Sequence, residues 1–176
     1  MALTIQQIRS ASSDEELLNL LGRELERLFP PELRKNPVVF LSQLYAAPRG
    51  LRAMAMTYEL DRSMAMDDLA WHFVNHHSSL ELAEEINAGL NELEAPEAAK
   101  TFSAALAIIK PHWEELEGVA KSKAAHDWLD SEGIQDLMNP LNDRMWQLLK
   151  EYGDSGLISL WATYARKYPE RCVHAN

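Results

Sequence analysis

The sequence holds a single cysteine, Cys172, so no internal disulfide can close. A reducing, cytoplasmic setting is the expected location. With only seven glycines, turns are few beside the long periodic segments. No uncharged apolar run approaches the ~20 residues of a membrane-spanning helix. The opening MALTIQQIRS lacks the basic and then apolar order of a secretory signal. Neither a GxSxG, a Walker nor a GxGxxG spacing occurs. No segment alternates β-branched residues with period two, so no sheet is expected. The last absence is local: between Asp67 and Glu97 there is no lysine or arginine.

What is present fits a folded helical protein. Hydrophobic residues make up 47% of the chain, enough for a core, and its length suits one domain spanning residues 1–176. The expected fold is all-α, an irregular bundle of about eight helices. In SSDEELLNLLGRELERLF, Ser13 caps a helix and Glu16 completes a capping box, with Leu17, Leu21, Leu25 and Leu28 on one face. Gly22 interrupts that pattern and Pro30-Pro31 ends it. Asn36-Pro37 opens the next helix. Residues 51–77 read as one long helix or two, rich in methionine as core filler. Ser78, with Glu81 as its box partner, is expected to cap an amphipathic helix burying Leu82, Ile86, Leu90 and Leu93. Pro111 should kink or split the following helix, and Met138-Asn139-Pro140 should break another. Trp113 and Trp161 are the expected core anchors.

Charge is unevenly placed. Up to Arg62 eight acids face eight bases, so the whole net charge of −10 lies after it. That argues against direct nucleic-acid binding, which needs cations, and permits a basic partner. The stretch from Asp67 to Glu97 carries Asp67, Asp68, Glu81, Glu84, Glu85, Glu92, Glu94 and Glu97. Asp67, Asp68, Glu81, Glu84, Glu85, Glu92 and Glu94 are the expected partner-binding acids. The plainer alternative is a solvated, solubilising face.

Asp68, His72 and His76 recur at i, i+4 and i+8 and so share a helix face. A carboxylate with two imidazoles is a partial ligand set for zinc or non-haem iron, completed by His77, His112 or His126. The rival account places the histidines near a helix C-terminus, where the dipole favours them. The expectation is no stoichiometric metal and no cofactor. Cys172 lies beyond the last helix, and no base is positioned for it in sequence.

MDDLAWHFVNH, then GLNELEAPEAAKTF and YARKYPERC, resemble a bacterial all-α family of unknown function typified by a DNA-mimic protein. Its signature runs Asn-Gly-Gly-Phe-x-Gln-Tyr-Phe-x-Asn. Phe73 and Asn75 match the last Phe and Asn, Leu69 replaces the first Phe, and Met66-Asp67-Asp68 stands at Asn-Gly-Gly. Trp71-His72 stands at Gln-Tyr. The resemblance spans roughly residues 55–170. It implies a helical fold and an acidic surface that occupies the DNA site of a basic protein, a DNA-binding regulator. No membrane partner is expected, and a homodimer is compatible. Two other readings stand beside it: a metal-binding or hydrolytic protein using Asp68, His72 and His76, and a scaffold or toxin-neutralising partner using apolar surface.

Overall fold

A computed structural model describes residues 2–75, 79–120 and 124–174, apart from the side chain of Arg34. Among these residues there is no strand, and eleven α-helices run in chain order. They are α1 (Ile5–Ser10), α2 (Asp14–Leu28), α3 (Pro37–Ala46), α4 (Arg49–Met66), α5 (Leu69–Asn75) and α6 (Leu80–Glu92). Then come α7 (Pro96–Ile109), α8 (Trp113–Val119), α9 (Ala124–Ser131), α10 (Ile134–Tyr152) and α11 (Ser159–Lys167). Short 3-10 turns cover Leu33–Lys35, Lys110–His112, Gly156–Ile158 and Pro169–Arg171. The all-α class is as expected. The helix number exceeds the expected eight because α1, α5 and α8 have six or seven residues each, too short to display a 3.6-residue period.

Local chemistry explains most boundaries. Thr4 and Gln7 form a capping box that starts α1. Ser13 accepts from the Glu16 amide at 3.1 Å. Glu16 does not close the box on Ser13; its carboxylate takes the Ser12 amide and hydroxyl, both at 2.7 Å. Asn36 caps α3 with Pro37 at its first position. The cap of α6 is Ser79, accepting from the Leu82 amide at 3.1 Å. This moves the expected cap by one residue, Ser78 itself lying outside the described residues. Pro111 splits α7 from α8 through a 3-10 turn. The expected break at Met138-Asn139-Pro140 does not occur, and Pro140 lies inside the continuous α10. Pro140 and Asp136, one turn before it, are both exposed, so water can satisfy the carbonyl that loses its donor.

The core centres on α4, buried on almost every side through Leu51, Met54, Met56, Leu60 and Met64. It packs chiefly on α6, which continues the core onto α7 and then α10. Trp113 and Trp161 are buried, as expected. Asp61, on α4, accepts from the Leu157 amide at 2.7 Å and anchors the turn before α11. Gly156 in that turn has φ +54, and a Cβ there would overlap the Asp61 carboxylate. Only glycine meets both demands. No described helix is long and apolar enough to cross a membrane.

Candidate acidic surface and its counter-charges

The junction Met66-Asp67-Asp68 is built against α10. The backbone of Asp67 has φ −142, outside the left-handed region that favours glycine, so its φ does not demand glycine. Asp68 caps α5: its Oδ1 accepts from the Trp71 amide and its Oδ2 from Gln135 Nε2, each at 2.9 Å. Asn142, itself buried, accepts from the Leu69 amide at 2.9 Å. Trp146 Nε1 donates to the Met64 carbonyl at 3.0 Å.

Of the candidate metal ligands, Asp68 and His72 lie among the described residues and both have structural surroundings. Asp68 is committed to a helix cap. His72 is 1% exposed and packs edge-on against Phe73 and Phe102. His76 and His77 lie outside the described residues. Among those described, only His112, Glu115 and Glu132 bring three candidate ligand atoms together, within 4.8 Å of one another. Glu115 there accepts from Trp128 Nε1 at 3.3 Å. Exposed carboxylates gather in this way without an ion.

Five of the eight acids between Asp67 and Glu97 meet cations from distant elements. Glu84 pairs with Lys110 at 2.9 Å and Glu85 with Arg52 at 3.5 Å. Glu94 pairs with Lys167 at 2.7 Å and accepts from the Tyr168 hydroxyl at 2.7 Å. Arg144 reaches Glu97 at 3.9 Å. Glu81 accepts from Tyr45 at 2.7 Å, and that bond, with burial, pushes the Tyr45 phenol up to about 12. Asp67 is exposed and has no cation partner among the described residues.

Glu92 is the most heavily engaged. It takes two bonds from the Arg49 guanidinium, one from the Tyr164 hydroxyl and one from Arg171 at 3.2 Å. Burial pushes its carboxyl up, but these donors and charges together outweigh burial and hold it below the ordinary value. The cluster holds the C-terminal segment to α4. Beside it, Gly50 gives room: a Cβ would stand 2.8 Å from Tyr164 and 2.9 Å from Cys172 Sγ. Cys172 is fully buried, not in an open tail, and burial pushes its thiol up to about 12. It is an inert core residue.

A second acidic region extends Glu114, Glu115 and Glu117, which in sequence read most simply as a solvated face. Residues 113–143 carry Glu114, Glu115, Glu117, Asp127, Asp130, Glu132, Asp136 and Asp143, all exposed. None pairs with a lysine or arginine among the described residues; Glu115 and Asp130 instead face His112 and His126 at 3.7 and 3.6 Å. In sequence this region shows as eight acids beside only Lys121 and Lys123.

No curated protein and no solved structure matches this chain. The family model for DMP19-like protein matches residues 46–168, more than half of its length, and the chain belongs to that family.

Proposed function

We infer that the protein is a non-enzymatic DNA mimic: its acidic surface occupies the phosphate-binding site of a basic partner, a DNA-binding regulator. The observation that carries this reading is the confinement of the whole net charge of −10 to the residues after Arg62, most of them inside the family region. Carboxylates one helical turn apart stand about 5–6 Å apart at Cβ, on the scale of successive phosphates along a strand.

Within the expected partner-binding set, Asp67, Glu81, Glu84 and Glu94 have the exposure such a contact needs. Asp68, Glu85 and Glu92 are less exposed and contribute to the field while their oxygens serve internal bonds. Glu114, Glu117, Asp127, Asp136 and Asp143 extend the surface, and among the described residues none of them has a lysine or arginine partner. The cytoplasm is the compartment where such a regulator is met.

The test is capture of partners from the native lysate at low and high salt, followed by challenge with duplex DNA. A mimic loses its partner as salt rises and competes with DNA for it. A captured protein that binds DNA and this chain at the same time, or that is retained equally at high salt, would overturn the reading.

A further inference from the structure

A cavity of about 670 Å³ opens between α2, α3, α4, α5, α6 and α11. It is a recess open to solvent, not a closed interior void. Its size falls within the ~300–1,000 Å³ of small-molecule sites. Phe29, Phe40, Met56, Phe73, Ile86 and Trp161 make its inner wall. Its polar residues include Glu26, Glu59 and Arg62, and the Arg62 guanidinium lies over the Tyr58 ring at 5.8 Å. An inner wall of this kind disfavours a charged ligand group, which would lose its hydration there.

The α2 wall contains Gly22. Glycine inside a helix costs ~1 kcal/mol relative to alanine, and close packing does not require it here: a Cβ at Gly22 would meet nothing within 4 Å. The missing side chain leaves volume in the cavity. This wall also precedes residue 46, where the family match begins, so the cavity joins the family region to a segment outside it.

We propose that this cavity binds a small, largely apolar aromatic molecule with a hydrogen-bond donor and no negative charge. The site is separate from the acidic surface, and its failure would leave the DNA-mimic reading untouched.

Phenylnaphthylamine, a neutral aromatic amine that fluoresces when shielded from water, is the probe. The full chain should bind it saturably at one site, and more tightly than the sulfonated analogue anilinonaphthalene sulfonate. Gly22→Leu places a side chain in the cavity and favours helix. It should weaken phenylnaphthylamine binding about tenfold or more, with the thermal midpoint unchanged or higher. Independently of any variant, the Met56 methyl resonance should shift on adding the probe while those of Met138 and Met145 stay in place. Absent saturable binding, unchanged affinity in folded Gly22→Leu, a still Met56 methyl or tighter binding of the sulfonate would each overturn the proposal.

Discussion

The stretch from Asp67 to Glu97 and the segment 113–143 carry eight acids each, and the fold treats them oppositely. In the first, cations arrive from elements 26 to 79 residues away: Lys110 at Glu84, Lys167 at Glu94, Arg171 at Glu92. In the second, only two histidines face the acids among the described residues. A run without lysine or arginine is therefore not the same as an uncompensated surface. Compensation depends on which elements pack together: α6 lies between α4, which presents Arg49 and Arg52 to it, and α7, whose following 3-10 turn presents Lys110.

The comparison breaks most sharply at Glu92. Its side chain is 15% exposed and serves Arg49, Arg171 and Tyr164. Glu92→Ala should lower stability by about 2–3 kcal/mol, read from urea unfolding, because three donors lose a charged acceptor. The sequence alone suggests that Glu81, Glu84, Glu85 and Glu92 could all become Gln with stability kept or slightly raised. The structure divides that set. Glu81→Gln with Glu84→Gln should stay within about 0.5 kcal/mol, as exposed pairs do, whereas adding Glu92→Gln should cost measurably more.

Acid should reveal the same contrast. The folded pKa of Glu92 lies below its ordinary 4.5, so its contribution is fully present above that value and is lost as pH falls through the folded pKa. The melting temperature of the native protein should drop below pH 4.5 more steeply than that of Glu92→Gln. Asp61 runs the other way. Burial raises its pKa above 3.8, against the Leu157 amide that lowers it. Its ionisation therefore opposes folding as pH rises through the folded value. Asp61→Asn keeps an acceptor for Leu157 and should raise stability by up to about 1 kcal/mol at pH 7. That gain should vanish below pH 3.8, since both states are then protonated.

Which parts of this were legible follows from interaction range. The caps at Ser13 and Asn36, the split at Pro111 and the apolar face of α6 depend on neighbours within about one turn, so the residues declare them. The continuity of α10 through Pro140 depends on which side of the helix meets water. The fate of His72 depends on Phe102, thirty residues on, which packs over it. The burial of Cys172 depends on Gly50 and Tyr164. The acidic site was half legible for the same reason: composition shows the acids, and tertiary contacts decide which of them remain without a base.

The smallest effect on stability is expected at the second region, and it is the most informative about function. Glu114, Asp127 and Asp136 sit in the first turns of α8, α9 and α10. There the helix dipole favours each by about 0.3–1 kcal/mol, which alone could account for their presence. Glu117 and Asp143 have no such position. Glu117 instead stands three residues after Glu114 on α8, a like-charge neighbour that costs a few tenths of a kcal/mol. Glu117→Gln with Asp143→Asn should therefore leave stability within about 0.5 kcal/mol of wild type, or raise it slightly. Its binding to a captured basic regulator should nevertheless weaken through slower association, with a shallower dependence on salt. Unchanged association at low and high salt would make the segment ordinary solvated surface and leave any contact to Asp67, Glu81, Glu84 and Glu94. A large loss of stability would mean instead that these acids hold the fold, and the contrast between the two regions would collapse.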